Sequence, residues 1–355
     1  MSKIAIIGFH NLHLMQFLYK YTNILDKYNI DYDVLYWNRD GIEYKKNFKG
    51  KSICFNYPTS NYVSKGKKIY GYFKARNFFL EIIKKNKYEK IILLTTQTAV
   101  ALSSFVLKKY KNAYIYDYRD ITMEKIPLYK AIVRKLVANS VFTALSSKGF
   151  IPVIGYNDIN KYVLAHNCSN LIYNHHEKSK KTPIRIVFWG MIRQIEYQKK
   201  ICDFFGNDKN FELFYHGEGL TDRLKSYCHA CGYMNIFFSG QYFPEEIPEF
   251  AQNTDILMNL YENDGKQEYA LTVKLYDGYR YGLPMLVMKD SYMDFYIGAK
   301  KFKYAFSFSN TDKIDLFNWY MSLSEKEVEL LIKKEIKKVV KDENKFENCL
   351  IEFCQ

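Results

Sequence analysis

Short apolar runs alternate with amphipathic stretches through the first half of this 355-residue chain, stop at a polar break, and then begin again. The first series is KIAIIGF (3–9), DYDVLYW (31–37), KSICF (51–55), KIILLT (90–95), NAYIYDY (112–118) and SVFTAL (140–145). Runs this short, rich in β-branched and aromatic residues, read as strands. Helical patterns separate most of them, among them NLHLMQFLYKYTNILDKY (11–28) and YFKARNFFLEIIKKNK (72–87). Strands apolar on both faces, with helices between them, predict a parallel sheet covered by helices.

The break is YNHHEKSKKTP (173–183), a linker by composition, in which His175 and His176 read as solvated loop residues rather than ligands. A second series follows: IRIVFWG (184–190), FELFYHG (211–217), NIFFSG (235–240), DILMNLY (255–261), PMLVM (284–288) and YAFSFS (304–309). Helical patterns lie between them at 194–206, 219–231 and 271–281, and a charged amphipathic helix runs from Ser324 to Lys345. The expectation is an α/β chain of two doubly wound, Rossmann-like domains. Residues 1–172 form the first, 173–183 a linker, 184–310 the second, and 311–355 a helical segment that packs back across both. Two domains is also what the length alone suggests.

Composition narrows the class. Hydrophobic residues at 48% and charged residues at 25% exclude a disordered chain. Aromatics at 17% suit sugar-stacking surfaces, although an AT-rich genome produces the same Tyr-rich bias. Seven scattered cysteines argue against a disulfide framework and for a reducing compartment. The one CxxC, Cys228 to Cys231, has no second ligand pair nearby for zinc and closes a helix instead of opening one. The longest uncharged run, 91–107, falls short of the roughly 20 apolar residues a bilayer span needs. KIAIIGF carries no cleavage region. A cytoplasmic chain, not an integral membrane protein, is the expectation.

Charge is unevenly placed. Residues 1–180 hold 29 Lys and Arg against 12 Asp and Glu, and residues 181–355 hold 23 against 26. A basic half beside a slightly acidic one suggests a face that meets a polyanion. Nucleic acid, anionic lipid and a diphosphate substrate all qualify.

Ligands of open α/β sheets bind beyond the carboxyl ends of the strands. In the second half Gly190, Gly217, Gly219 and Gly240 stand at such ends, where a bare Cα lets backbone N–H groups approach a diphosphate. Arg193 and Lys199 follow Gly190 as candidate phosphate cations, the alternative being two solvated surface charges. In TVKLYDGYRYGLPML (272–286), Lys274 and Asp277 are three apart and share a helical face. A carboxylate can accept ribose hydroxyls and an ammonium can neutralise a phosphate. The alternative is an intrahelical Lys–Asp pair.

Thr-x-Lys-Leu-x-Asp on a helix, then Tyr-Gly-Leu-Pro and a strand, resembles the nucleotide-sugar segment of GT-B glycosyltransferases. It is most similar to the family-4-like enzymes of bacterial surface polysaccharide synthesis. FWGMIRQIEYQKK, YHGEG and FFSGQYFPEEIPEF resemble the family's other donor motifs, so the likeness spans Ile184 to about Gly298. It implies GT-B architecture, with both domains facing a cleft, and a donor site of Gly190, Arg193, Lys199, His216, Gly217, Gly219, Gly240, Tyr242, Thr272, Lys274 and Asp277. Asp277 takes the place of the family's ribose-binding glutamate. The family's further acid falls on Tyr269 in this chain, with Glu268 one place away as the candidate carboxylate.

The same resemblance places the acceptor on the basic half. Asp120, then Asp117, are the candidate catalytic acids at the end of YIYDYRDITMEK (114–125). Gly8, His10, Arg119, Glu124 and His166 are candidate acceptor contacts, and His13 reads as packed. An N-cap acid with Asp–Arg pairing is the structural alternative for the acids. The implied reaction moves a sugar from a nucleoside diphosphate sugar, as co-substrate, to a polyprenyl-diphosphate-linked glycan, with no cofactor, no metal and no nucleic acid. The basic helical stretches 64–87 and 124–140 suit an anionic membrane surface at the inner face of the plasma membrane. Equally, their apolar faces could simply cover the sheet. Two other readings compete: a sugar-nucleotide epimerase of the same architecture, and a non-catalytic nucleic-acid-binding protein using the basic half.

Overall fold

The computed structural model describes residues 3–59, 65–168, 170–174, 180–298 and 301–355. His175 and His176 lie outside them. The chain divides into two compact units, Met1–Ser169 with Lys341–Gln355, and Asn170–Val340.

The first unit runs β1 (Ile4–Gly8), α1 (Leu18–Lys27), β2 (Tyr32–Asn38), β3 (Lys51–Asn56), α2 (Lys65–Asn86), β4 (Lys90–Leu94), α3 (Thr96–Lys109), β5 (Tyr114–Tyr118), α4 (Pro127–Asn139), β6 (Thr143–Leu145), α5 (Ile151–Ile154) and β7 (Tyr162–Leu164). Its sheet has the order β3-β2-β1-β4-β5-β6-β7, with parallel pairing throughout. Every residue of β1 is buried, as a central strand covered on both faces requires. The second unit runs β8 (Ile184–Trp189), α6 (Ile195–Phe205), β9 (Phe211–His216), α7 (Thr221–Ala230), β10 (Ile236–Gly240), α8 (Ile247–Gln252), β11 (Ile256–Asn259), α9 (Val273–Tyr281), β12 (Met285–Met288), α10 (Tyr292–Tyr296), β13 (Lys303–Phe306) and α11 (Lys313–Ser322). Its parallel sheet is ordered β10-β9-β8-β11-β12-β13. The final helix, α12 (Glu325–Cys354), contributes residues to both units. These are two doubly wound α/β units, the class that the alternation predicts.

Two details depart from the sequence reading. The helix expected over 11–28 starts only at Leu18, after a short 3-10 turn at Leu12–Leu14. Asn11 breaks it: its side chain accepts from the Arg39 amide and donates to Asp40 at 2.8 Å, which ties the loop to the end of β2. The tail helix continues past Lys345 because Phe346, Leu350 and Phe353 keep its apolar stripe going. They bury against Leu18, Tyr21 and Leu25 of α1, with the Tyr21 and Phe346 rings edge-on at 5.2 Å. Within 311–355, residues up to Val340 group with the second unit and Lys341–Gln355 with the first. Among the described residues, no helix is long and apolar enough to cross a membrane.

Candidate functional site

Helix α9 buries seven of its nine residues, and two of those are Lys274 and Asp277. A buried charge is costly unless it is partnered, and each of these finds its partner outside the helix. The Lys274 ammonium donates to the Tyr261 hydroxyl at 2.7 Å and lies 4.2 Å from the Phe188 ring centroid. The Asp277 carboxylate accepts from the Trp189 indole at 2.9 Å through Oδ2. Among the described residues the two form no ion pair with each other, so the intrahelical alternative does not apply. Burial raises the Asp277 pKa, opposed by the Trp189 hydrogen bond and by Arg280 and Lys274. Phe188, Trp189 and Gly190 are consecutive at the tip of β8. A Cβ added to Gly190 would stand 3.3 Å from the Lys274 Nζ, so the ammonium covers this glycine's bare face. Thr272 precedes the helix and fixes it to β11, its hydroxyl donating to Asn259 at 2.7 Å.

Packing gives two of the neighbouring glycines a reason of their own. A Cβ on Gly217 would meet the Gly190 carbonyl oxygen at 1.8 Å, and one on Gly219 the Ile192 oxygen at 2.4 Å. Their φ angles, +146° and +103°, are ones that side chains rarely adopt. Pairing continues past the strands: the Gly190 amide donates to His216 at 2.9 Å and the Ile192 amide to Glu218 at 2.7 Å. Gly217 and Gly219 thus let two loop backbones touch, and they stiffen the strand tips. Gly240 alone of these has open space around its missing Cβ.

Beside these tips is an aromatic shelf. His216 stacks on Phe250 at 3.8 Å and bonds Ser239 at 2.8 Å, and Tyr242 meets Phe250 edge-on at 5.4 Å. Burial lowers the His216 pKa. Arg193 is exposed just beyond the tip of β8. Lys199 is not turned towards it: it pairs with Glu196 at 3.0 Å and lies over the Tyr227 ring of α7. In this arrangement the Lys199 side chain lies along the α6–α7 seam. Glu268 closes its own loop, accepting from the Gly265 amide at 3.1 Å and bonding Tyr269. Gln194, which the sequence did not single out, joins the loops after β8 and β11 by accepting from the Glu262 amide at 2.8 Å.

In the first unit the expected strand-end acids separate. Asp117 is fully buried and grips Arg119 through both oxygens, one bond being 2.7 Å, while the Tyr21 hydroxyl also donates to it. Arg119 in turn donates to the Ala165 carbonyl at 2.8 Å and to Asn167 at 3.0 Å. Burial opposes the Arg119 charge, but Asp117 outweighs it and holds the pKa above its ordinary value. The pair takes the form of the Asp–Arg pairing that the sequence reading holds as the structural alternative. Glu124 is likewise buried, accepting from Tyr118 at 2.8 Å and from the Thr122 amide at 2.6 Å. His166 is wholly buried against α12, 3.2 Å from Asp342. Gly8 has no open face, because its Cβ would strike the Met15 sulfur at 2.3 Å. These three are packing and anchoring positions.

Asp120 is different: it is exposed in the bend beyond β5. His10, at the tip of β1, bonds Gln97 at the start of α3, and burial together with the Arg39 charge lowers its pKa to about 4. The Arg39 guanidinium lies over the Trp37 ring at 5.0 Å and the Tyr72 ring at 5.8 Å. The Phe9 amide donates to Thr98 at 3.0 Å. At the β4–α3 junction Thr95 has φ +73°, a strained conformation for a β-branched residue. The sequence signal for Gln97, Thr95 and Thr98 is the polar interruption TTQT in an otherwise apolar run. His13 stacks on Tyr44 at 4.2 Å. Among the described residues, no group of three His, Cys, Asp or Glu side chains could hold a metal ion.

No protein-family model matches the chain, and no curated protein matches it in sequence. Solved structures do match. The sucrose-phosphate synthase of Thermosynechococcus elongatus superposes with a TM-score of 0.72 at 11% identity, over 99% of this chain and 97% of that one. HepE of Anabaena, solved in complex with UDP, gives 0.68 at 9% identity, over 99% and 100%. The lipopolysaccharide outer core galactosyltransferase WaaB in its apo form gives 0.64 at 13% identity, over 99% of each chain. HepE has also been solved in complex with UDP-glucose. Two parallel sheets, their strand orders and nearly the whole chain length fit one architecture: the chain has the fold of the GT-B glycosyltransferases.

Proposed function

We propose that this chain is a glycosyltransferase that moves a sugar from a nucleoside diphosphate sugar to a lipid-linked glycan in the synthesis of a bacterial surface polysaccharide. The observation that carries the donor half is Lys274. A buried ammonium is held at the β8 tip over Gly190 by an aromatic ring and a phenol, and among the described residues no carboxylate pairs with it. Such a cation favours a diphosphate, and it favours the departing one most, where charge grows as the glycosidic bond breaks. Arg193, exposed beyond the same tip, adds a second cation. Asp277 has Oδ2 fixed by Trp189, so Oδ1 is left for a ribose hydroxyl. The His216–Phe250–Tyr242 shelf offers stacking to the base. That HepE, a neighbour in fold, binds UDP and UDP-glucose supports this donor class.

The acceptor is assigned to the first unit. His10 is neutral at pH 7 and can accept a hydroxyl proton, and Asp120 is the solvent-accessible acid at the β5 tip. With cations meeting the diphosphate, transfer proceeds without a metal, at the cytoplasmic face of the membrane where a polyprenyl-linked acceptor resides. Incubation with radiolabelled nucleotide sugars and bacterial lipid extracts, with and without EDTA, tests this. Label should pass to the lipid fraction in both cases, and free sugar alone would refute transfer.

A further inference from the structure

Between β11 and α9 the chain runs through a loop, 260–272, with one short 3-10 turn at Gln267–Tyr269. Tyr261 stands near its start. The Tyr261 hydroxyl receives the Lys274 ammonium at 2.7 Å, and its ring meets Phe188 edge-on at 6.3 Å. A hydroxyl fixes an ammonium only as well as its own backbone is fixed.

From Asp264 onward the loop closes on itself. Asp264 Oδ1 accepts from the Lys266 amide at 2.9 Å and from the Gln267 amide at 3.0 Å, and Glu268 accepts from the Gly265 amide. Among the described residues, every hydrogen bond that ties 262–268 to a distant part of the chain is made by Gln194. Its Oε1 accepts from the Glu262 amide at 2.8 Å, and its Nε2 donates at 3.4 Å to both the Glu262 carbonyl and Asp264 Oδ2. The side-chain amide thus pairs with the Glu262 peptide as a neighbouring strand would. That peptide belongs to the residue directly after Tyr261.

Gln194 stands there against its backbone preference. Its φ of +55° and ψ of +58° are left-handed, where glycine or asparagine is the ordinary choice. Glycine has no side chain, and asparagine is one methylene shorter. A long amide kept on a strained backbone is explained by what its far end holds. The same residue opens α6, its carbonyl accepting from the Tyr197 amide at 2.9 Å and from the Gln198 amide at 3.1 Å. Arg193 therefore stands between two fixed points. On one side is buried Ile192, whose amide donates to Glu218 at 2.7 Å and whose oxygen accepts from Leu220 at 3.0 Å. On the other is Gln194.

We infer that Gln194 is the positioning residue of the donor site. Through the Glu262 peptide it fixes Tyr261 and so the Lys274 ammonium, and through its own reversed backbone it fixes Arg193. Two cations held still favour a diphosphate over a monophosphate, which has one charged group fewer to offer them. The inference rests on the donor reading proposed above and adds the residue that makes the site selective for a diphosphate.

The test is calorimetry on the full chain with UDP, GDP, CDP and TDP and with their monophosphates, taking forward the diphosphate that wild type binds most tightly. Gln194→Ala should weaken that diphosphate about tenfold or more and its monophosphate less than about threefold, so the preference between them shrinks. In the Lys274→Met background the same change should cost about threefold or less, because the ammonium it positions is gone. Gln194→Gly separates fold from positioning. It frees the backbone at φ +55° but lacks the amide, so it should melt no lower than Gln194→Ala and bind the diphosphate no better. A Gln194→Ala or Gln194→Gly protein that binds like wild type overturns the inference. So does an equal loss for diphosphate and monophosphate, or a loss repeated in full in Lys274→Met, since either marks a merely structural residue. Diphosphate binding that weakens in Lys274→Met but not in Gln194→Ala defeats the positioning role alone. A wild type that binds none of the four defeats the donor reading, and this inference with it.

Discussion

Lys274 and Asp277 lie three residues apart on one buried helix, and among the described residues they form no ion pair with each other. The ammonium goes to Tyr261 and Phe188, and the carboxylate goes to Trp189. Two opposite charges kept apart at a strand tip are each left able to meet a ligand group, which a closed salt bridge would prevent. The predictions below follow from that separation and from the packing around it.

Trp189→Phe should remove the hydrogen bond that the Asp277 carboxylate receives from the indole. A buried carboxylate without its donor costs on the order of 1–3 kcal/mol. Urea denaturation at pH 7 should show that loss, and Trp189→Phe/Asp277→Asn should recover part of it, because the neutral amide is cheaper to leave unbonded.

Gly217→Ala and Gly240→Ala are both substitutions at positive φ, yet they should differ sharply. The first drives a methyl into the Gly190 carbonyl, while the second meets open space. Gly240→Ala should cost about 1–2 kcal/mol from backbone strain alone. Gly217→Ala should cost more and also abolish nucleotide binding, because it separates the loops that carry Gly190 and Gly219. Thermal melts with and without nucleotide compare them.

His10 gives a pH dependence. Its pKa is about 4 in the fold, against 6.5 when exposed, so the unfolded chain takes up this proton first. The stability contributed by the neutral imidazole is complete above pH 6.5 and lost progressively as pH falls towards 4. Wild type should therefore lose more melting temperature between pH 7.5 and pH 5 than His10→Gln does.

The strand-end acids of unit 1 should separate by phenotype. Asp117→Asn breaks a buried pair with Arg119 and should destabilise by about 3–5 kcal/mol. Asp120→Asn, at an exposed bend, should leave stability within about 0.5 kcal/mol and lower kcat for sugar transfer. Chemical denaturation and a radiolabel transfer assay run on the same preparations distinguish a structural acid from a reacting one.

Much of this molecule can be read from the chain. The alternation of apolar runs and helical stretches yields the two parallel sheets because central parallel strands must be apolar on both faces, as IAIIG in β1 is. Lys274 and Asp277 stand out through their spacing in a helix that is otherwise core. Their partners do not, because Trp189, Phe188 and Tyr261 come from other strands and only tertiary packing brings them near. Asp117 and Arg119 show an ambiguity of another kind. Polar residues at a strand end suggest a site, but two positions apart on extended backbone puts both on one face, close enough to pair. Gly217 and Gly219 are legible as special positions, while the loop-to-loop contact that demands them is not local to either.

The most direct test is the affinity of the full chain for UDP, GDP, CDP and TDP by calorimetry, in wild type and in Lys274→Met, which keeps the apolar stem over Phe188 and deletes the charge. The account predicts that at least one diphosphate binds, more tightly than its monophosphate. It predicts that Lys274→Met weakens that binding roughly 10- to 100-fold, as expected for losing one charged hydrogen bond. A wild-type protein that binds none of the four, or a Lys274→Met protein that binds as well as wild type, would contradict it.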